Sequence, residues 1–377
     1  MCSCSGLLGL YGCRAVTVSS APRVVVAGDG VIGLATAVHL AARSVPVTLL
    51  SPNLRGAASP ASAGMLAPSV ERTQGAAQTF GDVARDAWPR LAQLLDRLGG
   101  GAFDVQRGGI LQVARTPEAA AALRTRVRES DQWMTGEDAQ RLEPALARIE
   151  GAVLHHGDGV VDGPAALAAL RSALAAHAAV TVVSQPLAAV RFGRNSVTCE
   201  LAPEQKLECD FLVVAAGSWT TEIGGLPRAV PVRPLRGAMV AADSRLIRVP
   251  IYDASGHSYA LPRGSRTVVG ATSDDVGFDA APADGDAKRL VSAAAEYLPG
   301  LRQATVTPAW AGLRPVTPDG LAVIGPDPDE GRLLWATGHA RNGFLQAALT
   351  GEVIAAIVHG EPLPVDISPF WPGRFPQ

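Results

Sequence analysis

The chain has 377 residues, which is enough for one large domain or two entwined domains and excludes a short peptide module. Hydrophobic residues make up 47% and charged residues 18% of the chain, and 33 basic against 35 acidic side chains leave a formal charge of −2. This is the composition of a globular protein without an excess of positive charge, so we expect no nucleic-acid partner.

The N-terminal segment, residues 1–22, has neither the basic start nor the long apolar core of a signal peptide. No stretch of the chain approaches the ~20 uninterrupted apolar residues of a membrane span. We therefore expect no membrane span, a disordered or wrongly assigned extension at 1–22, and a cytoplasmic protein. The cysteines are odd in number and lack the paired spacing of a metal site or a disulfide framework, so we expect no metal and a reducing compartment. They are Cys2, Cys4, Cys13, Cys199 and Cys209.

The ordered part of the chain is predicted to begin with a strand, a turn, a helix and a second strand, the unit from which parallel sheets are built. Residues 24–27 and 47–50 are short apolar runs typical of buried strands, and residues 34–42 are predicted to form the helix between them. A loop rich in Gly, Ala and Ser follows at 56–68. Helices are then predicted at 82–98 and 117–128, with polar turns up to residue 151.

The remaining chain contains two styles of strand. Residues 211–216 and 333–337 are apolar runs that break at a glycine, like the first strand, and a helix at 344–358 follows a turn at 338–343. Three widely separated junctions of this kind predict one nucleotide-binding core assembled from separate segments, with a second domain between them. The other predicted elements are a helix at 164–177 and strands at 181–183, 190–192, 196–201, 233–240, 258–261 and 266–269, the last three with the alternation of an antiparallel sheet.

The pattern Gly28-x-Gly30-x-x-Gly33 lies between the first strand and the first helix. The first glycine permits the tight turn, the second lets the backbone approach a pyrophosphate, and the third lets the helix pack on the strand. The same pattern serves NAD, so an NAD-dependent dehydrogenase is an alternative. The acidic residue expected at the end of the second strand is replaced by Ser51, whose neutral hydroxyl binds a ribose more weakly by ~1 kcal/mol. We expect lowered adenosine affinity or compensation by a nearby group such as Asn53.

Residues 57–66, with the sequence Ala-Ala-Ser-Pro-Ala-Ser-Ala-Gly-Met-Leu, resemble the small-residue loop after the second strand in glycine oxidases and related FAD-dependent D-amino-acid oxidases. The resemblance extends from Arg23 to about Phe375, nearly everything except the N-terminal extension. Further segments are similar to the family's middle nucleotide-domain helix, its second flavin-contacting strand and its two C-terminal motifs, and they are residues 159–164, 210–219, 311–320 and 338–343.

The resemblance implies an α/β fold in which a Rossmann-like FAD-binding domain, built from discontinuous segments, carries a second α+β substrate domain with an antiparallel sheet. The FAD-binding domain is expected at 23–98, 152–226 and 313–377, and the substrate-binding domain at 99–151 and 227–312. The expected cofactor-binding residues are Gly28, Gly30, Val31, Ile32, Gly33, Ser51, Pro52, Ala58, Ser59, Ala63, Gly64, Met65, Leu187, Ala216, Gly217, Trp219, His339, Ala340, Arg341, Asn342, Gly343, Phe344 and Leu345.

The FAD is expected to be non-covalent. Some relatives, such as monomeric sarcosine oxidases, tether their flavin to a cysteine in the C-terminal part of the chain, and no cysteine follows Cys209 here. Acid precipitation is therefore expected to release the cofactor fully. A helix that starts near Asn342 is expected to point free N–H groups at the negative charge of the reduced flavin.

The substrate residues implied by the resemblance are Arg314, Arg341, Tyr259 and Met65. A guanidinium has the planar fork that pairs with a carboxylate, so the two arginines are expected to hold a substrate carboxylate. The tyrosine hydroxyl is expected to reach the same carboxylate, and Met65 to wall the pocket. Surface salt bridges are the alternative for the arginines, and a core position is the alternative for the tyrosine.

The activity implied by the resemblance is the oxidative deamination of glycine or another small D-amino acid or amine. The neutral amine loses a hydride to flavin N5 without a side-chain base, the imine hydrolyses, and oxygen reoxidises the flavin to give hydrogen peroxide. The alternatives are an amine dehydrogenase or secondary-amine oxidase that uses another electron acceptor, and a non-catalytic flavin-binding protein. Thiamine formation and specialised metabolism are both possible pathways. The oligomeric state does not follow from the sequence, although the resemblance suggests a dimer or tetramer.

Overall fold

The structure of the protein is a computed structural model that describes residues 21–71, 73–202 and 205–376. The expectations for the N-terminal extension fall almost entirely outside these residues, and so do Cys2, Cys4 and Cys13. Within the described residues, no helix combines the length and the apolar character that crossing a membrane requires.

Helices and strands are mixed in the first half of the described residues, and a long run of strands from β9 to β17 follows. The strands are β1 (Val24–Ala27), β2 (Val47–Leu50), β3 (Met65–Leu66), β4 (Val105–Gln106), β5 (Ile110–Ala114), β6 (Gln132–Thr135), β7 (Gly151–His155), β8 (Gly159–Val161), β9 (Val180–Val183), β10 (Ala189–Phe192), β11 (Val197–Ala202), β12 (Gln205–Cys209), β13 (Phe211–Val214), β14 (Arg233–Ala242), β15 (Ile251–Asp253), β16 (Tyr259–Arg263), β17 (Arg266–Gly270), β18 (Trp310–Val316), β19 (Val323–Pro326) and β20 (Leu333–Thr337). The α-helices are α1 (Val31–Ala41), α2 (Ala58–Ala61), α3 (Gly75–Arg97), α4 (Pro117–Arg124), α5 (Gly136–Leu142), α6 (Gly163–Ala175), α7 (Asp286–Ala294) and α8 (Gly343–His359).

A six-stranded sheet in the order β19-β20-β13-β1-β2-β9 forms the core of the nucleotide-binding part. All of its strands are parallel except β19, which pairs antiparallel with β20. Strands β1, β13 and β20 are buried at every position, as expected for central parallel strands that are covered on both faces. Segments far apart in the chain therefore meet in one Rossmann-like sheet, which confirms the predicted fold class.

Helices α1 and α8 pack closely against each other on this sheet. The contact occurs at Gly351, where a Cβ would lie 2.7 Å from the ring of His39 and 2.9 Å from the carbonyl oxygen of Ala35. Trp88 of α3 holds the beginning of α8, because its indole Nε1 donates to the Phe344 carbonyl at 2.8 Å and its ring stacks on that of Phe344. The N-termini of α1 and α8 are thus fixed at the same edge of the sheet.

An eight-stranded sheet in the order β18-β14-β17-β16-β15-β5-β7-β6 forms the second large layer. It is antiparallel apart from the pair β5 and β15, so the predicted antiparallel sheet is confirmed. Two smaller antiparallel sheets, β10-β11-β12 and β3-β8-β4, complete the fold. Buried side chains of α7, such as Leu290 and Ala294, pack with the fully buried Tyr297 against the larger sheet.

The sequence prediction was wrong in detail between residues 56 and 151. The loop predicted at 56–68 contains α2 and β3, and the polar turns before residue 151 contain β6 and α5, whose first N–H groups are capped by Thr135. These elements are short, and their strands gain their pairing from distant segments. The domain boundaries stay a prediction. Two of them, at residues 152 and 313, fall inside β7 and β18, which are both strands of the eight-stranded sheet.

Candidate cofactor and substrate site

Two adjoining cavities lie between the six-stranded and eight-stranded sheets. The first, of about 410 Å³, follows the turn after β1 and reaches the ends of β2, β13 and β20. The second, of about 610 Å³, lies between the loop after β2, the start of α8 and the face of β14, β16 and β18. Their shared lining residues are Val31, Ala58, Ser59, Ala340 and Gly343.

The glycine turn at the first cavity is built for close approach of the backbone. Gly28 has φ of +120°, and a Cβ there would lie 2.8 Å from the carbonyl carbon of Ala215. A Cβ on Gly33 would lie 2.9 Å from the carbonyl carbon of Gly28, so this glycine packs the helix on the strand. Both positions therefore require glycine for the reasons that the sequence pattern predicts.

The N-terminus of α1 fits a phosphate group. Its cap residue Gly30 lines the first cavity and has no side chain to satisfy the first N–H groups. Among the described residues, the first turn of α1 contains no acidic side chain, and only Ser59 is found to accept a hydrogen bond from Val31 N, at 2.9 Å. Uncapped N–H groups and the positive end of the helix dipole favour an anion. The first cavity thus fits the pyrophosphate and adenosine of FAD.

Most of the residues predicted to bind the cofactor line one of the two cavities. Gly33, Ser51 and Gly64 do not line either cavity. Gly33 and Gly64 are instead sites of close packing, since a Cβ on Gly64 would overlap the Val161 carbonyl. The residues that line the cavities are Gly28, Gly30, Val31, Ile32, Pro52, Ala58, Ser59, Leu187, Ala216, Gly217, Trp219, His339, Ala340 and Gly343 in the first, and Ala63, Met65, Arg341, Asn342, Phe344 and Leu345 in the second.

Ser51 contacts an acidic side chain rather than the cavity. Its hydroxyl donates to Asp29 Oδ2 at 2.9 Å, and Asp29 itself lines the first cavity. Asn53, which the sequence analysis considered as a substitute for the missing acid, is exposed and has φ of +50°. Asp29 could not be predicted from the glycine pattern, because the pattern allows any residue at this position. The signal that could have indicated it is the presence of a carboxylate between two glycines of the pattern.

The start of α8 presents a second uncapped helix N-terminus, this time to the second cavity. The cap residue Asn342 makes no side-chain capping bond, and the first turn of α8 contains no acid within the described residues. His339, three positions before Asn342, lines the first cavity and is buried, and burial lowers its pKa to about 3. It is therefore neutral near pH 7, with Nε2 3.2 Å from the Thr350 hydroxyl. This arrangement fits a flavin ring that gains negative charge on reduction.

Arg314 extends from β18 across the face of β14 into the second cavity. A Cβ on Gly237, which lies on the neighbouring strand, would overlap the Arg314 guanidinium, so the absence of a side chain at 237 makes room for this group. Arg314 Nη1 donates to the Thr272 carbonyl at 3.0 Å. Among the described residues, no carboxylate forms an ion pair with Arg314, and burial lowers its pKa. A partly buried cation without a carboxylate partner is suited to bind an anionic ligand.

Tyr259 stands beside Arg314 on β16. A Cβ on Gly270, directly opposite on β17, would overlap the tyrosine ring. The ring stacks on that of Tyr252 with centroids 6.4 Å apart, and the hydroxyl donates to Met239 Sδ at 3.2 Å. Burial raises the pKa of Tyr259, and Arg314 partly offsets this. The hydroxyl is therefore protonated near pH 7, and its single proton can turn from Met239 Sδ to an acceptor in the cavity that the tyrosine lines.

Arg341 lines the second cavity but has a carboxylate partner. Its Nε and Nη2 donate to Glu71 Oε2 at 3.0 Å and 2.7 Å. Burial alone would lower the pKa of Arg341, but the charge of Glu71 and the contact with Tyr252 raise it above its ordinary value. Glu71 was missed by the sequence analysis, since no local pattern indicates an ion pair between residues 270 positions apart.

The two described cysteines, Cys199 and Cys209, lie away from both cavities. They are buried in the sheet β10-β11-β12 as free thiols with their sulfur atoms 3.9 Å apart. Within the described ranges, no group of three or more His, Cys, Asp or Glu side chains could hold a metal ion.

Known proteins are similar to this chain in both sequence and fold. A family model described as FAD dependent oxidoreductase matches residues 23–357. The chain is 31% identical over 361 residues to the glycine oxidase of Geobacillus kaustophilus, covering 92% of this chain and 95% of that protein. It is 28% identical over 400 residues to the hydrogen cyanide synthase subunit HcnC of Pseudomonas aeruginosa, covering 93% of this chain and 96% of that protein. The crystal structure of the Geobacillus kaustophilus glycine oxidase matches with a TM-score of 0.88 at 29% identity, over 94% of this chain and 100% of that chain.

Proposed function

Because the chain belongs to the FAD-dependent oxidoreductase family, we propose that it oxidises glycine or another small amino acid or amine, with oxygen as the final electron acceptor. Bound FAD supplies the two-electron acceptor for this reaction. The observation that carries the proposal is the Arg314 guanidinium, a partly buried cation without a carboxylate partner among the described residues, in the cavity that adjoins the glycine turn of α1.

Arg314 binds the carboxylate of the substrate. Its fork pairs with two carboxylate oxygens, and the charge that burial leaves uncompensated is then neutralised by the ligand. Tyr259, whose hydroxyl stays protonated because burial raises its pKa, donates a further hydrogen bond to the carboxylate. Met65 and the paired rings of Tyr252 and Tyr259 form apolar walls around the α-carbon.

The side chains around the cavity favour a neutral substrate amine. The carboxylates that line the second cavity are Glu71 and Asp319, and each has an arginine partner: Glu71 pairs with Arg341 and Asp319 with Arg374. Among the described residues, the cavity therefore offers an ammonium group no carboxylate without an arginine partner. His339 lines the first cavity and not the second, and burial lowers its pKa to about 3, so it is not a base for the substrate near pH 7. The amine thus loses its proton before binding, and no side-chain base is required.

We propose a role for Arg341 that differs from the one expected from the sequence. The two predicted carboxylate forks are not equivalent, because Glu71 already occupies Arg341. We propose that Arg314 alone anchors the substrate carboxylate and that the Glu71–Arg341 pair forms the wall opposite to it.

A panel of small amino acids and N-methyl amines tests the proposal. Purified protein is expected to produce hydrogen peroxide in air with glycine or a small D-amino acid, and the same compound is expected to bleach the flavin absorbance when oxygen is removed. Bleaching without peroxide in air would favour a dehydrogenase that uses another electron acceptor. No bleaching by any member of the panel would contradict the proposed activity and favour a non-catalytic flavin-binding protein.

We also propose a cytoplasmic location and a homo-oligomeric assembly. Free thiols at Cys199 and Cys209, close enough to be oxidised together, are compatible with the reducing cytoplasm. A homo-oligomer is our further expectation, and sedimentation of the purified chain would distinguish a monomer from a dimer or tetramer.

A further inference from the structure

We propose that Asp29 takes over the ribose-binding role that the dinucleotide fold normally gives to an acidic residue at the end of the second strand. In this fold, a carboxylate at that place accepts hydrogen bonds from the ribose hydroxyls of the adenosine. The residue found there is Ser51, which lines neither cavity. Asp29 lies inside the glycine turn and does line the adenosine cavity. The inference rests on the cofactor of the family and is independent of the substrate proposed above.

The backbone places Asp29 at the end of the second strand. Gly28 N donates to the Leu50 carbonyl at 3.1 Å, which continues the pairing of β1 with β2 as far as the glycine turn. The residue after Gly28 therefore comes beside the residue after Leu50, and the Ser51 hydroxyl meets Asp29 Oδ2 at 2.9 Å. The carboxylate that the fold normally has after β2 is thus found here after the neighbouring strand β1.

The hydrogen bonds of Asp29 leave one oxygen for a ligand. Ser51 Oγ and Arg171 Nη2 both donate to Oδ2, at 2.9 Å and 3.4 Å. Among the described residues, no donor reaches Oδ1. The Asp29 side chain is 21% exposed, so it is accessible from the cavity without being fully solvated. Oδ1 is thus available to a ribose hydroxyl, and the bonds from Ser51 and Arg171 hold the carboxylate in one orientation.

Arg171 explains how a negative charge is tolerated next to a pyrophosphate. A carboxylate within the phosphate-binding turn would repel the cofactor if it were uncompensated. The Arg171 guanidinium pairs with this carboxylate from α6, on the side of Oδ2. The pair leaves the turn close to neutral, while Oδ1 still accepts a hydroxyl.

The test measures FAD binding and requires no turnover. The dissociation constant of FAD for the apoprotein is measured by fluorescence for the wild type and for Asp29→Asn. Because hydrogen bonds to charged groups are the stronger ones, Asp29→Asn is expected to weaken FAD binding roughly 10-fold or more. The matched control is Asp96→Asn, which removes an exposed carboxylate at the end of α3 and is expected to leave the constant unchanged. Equal constants for wild type and Asp29→Asn would overturn the proposal.

Two further measurements separate a ribose contact from a general effect on the turn. The double variant Asp29→Gly with Ser51→Glu returns the carboxylate to the second strand and is expected to recover most of the lost affinity. The wild-type apoprotein is expected to bind ADP more tightly than 2′-deoxy-ADP, and Asp29→Asn to lose this preference. Failure of the double variant to recover affinity, together with an unchanged preference in Asp29→Asn, would show that Asp29 does not contact the ribose.

Discussion

Gly237→Ala is the sharpest perturbation of the proposed carboxylate site, because it moves Arg314 without altering any charge. The added Cβ would lie less than 3.0 Å from atoms of the Arg314 guanidinium, whereas ordinary contact begins at 3.4 Å. The guanidinium must therefore shift by roughly 1 Å, a displacement that costs about 10²-fold in rate when it affects a positioning group. This corresponds to about 2.7 kcal/mol in the barrier. The shift costs the fold little, since the obstructed atoms are the far end of a flexible side chain.

The assay for Gly237→Ala combines kinetics with ligand binding. We expect kcat/KM for the best substrate of the panel to fall about 10²-fold, and the affinity for a simple carboxylate such as acetate, followed by the flavin absorbance, to fall with it. FAD content and thermal stability are expected to stay near those of the wild type. Gly108→Ala is the matched control, because a Cβ at Gly108 has open space around it. A Gly237→Ala enzyme with wild-type kcat/KM and acetate affinity would refute the assignment of Arg314.

Two other substitutions test charged side chains: Glu71 at the site, and Asp158, which lines neither cavity and pairs with Arg85. Glu71→Gln removes the partner of Arg341, which is then free to bind a second carboxylate. The ratio of kcat/KM for an amine with two carboxylates, such as iminodiacetate, to kcat/KM for glycine is expected to rise roughly 5-fold. This factor corresponds to the free energy of a half-exposed ion pair. Glu71→Asp is the control that keeps the charge, and an unchanged ratio in Glu71→Gln would contradict the pairing. Asp158→Asn tests the pKa of about 6 that burial gives this carboxyl. A folded-state pKa above the ordinary 3.8 means that ionisation opposes folding, so wild type is expected to lose about 2 kcal/mol relative to Asp158→Asn as the pH rises from about 4 to about 7. Urea unfolding at both pH values measures this, and parallel pH profiles for the two proteins would contradict it.

The nucleotide-binding core could be predicted from the sequence because its signals are local. The strands at Val24–Ala27 and Phe211–Val214 are continuous apolar runs, and each leads to a glycine with positive φ, Gly28 or Gly217. Helix α1 begins earlier than predicted, at Val31, since the turn of the glycine pattern leads into it directly. A short window of sequence is enough to indicate a strand buried on both faces and a turn at a glycine.

The parts of the fold and of the site that could not be predicted depend on which distant segments of the chain pack together. Strand β6 is only partly buried and gains its place by pairing with β7, so its composition resembles a polar turn. The space for Arg314 is set by Gly237 on a neighbouring strand, and this follows only from the register of β14 and β18. The resemblance points to Arg314 as a substrate residue, and this role stays a prediction. The sequence could not show that Gly237 makes room for it or that Glu71 occupies Arg341.

The unequal environments of the two arginines connect substrate recognition with the protonation state of the amine. If both guanidinium groups lacked partners, the cavity would carry two positive charges and would favour a substrate with two carboxylates. With Arg341 paired to Glu71, one carboxylate on Arg314 already brings the site close to neutral. An ammonium group would then add a positive charge to a partly buried cavity whose acidic side chains, Glu71 and Asp319, are both paired with arginines. Since a buried charge without a partner is costly, the same ion pair that limits the site to one carboxylate also favours the neutral amine.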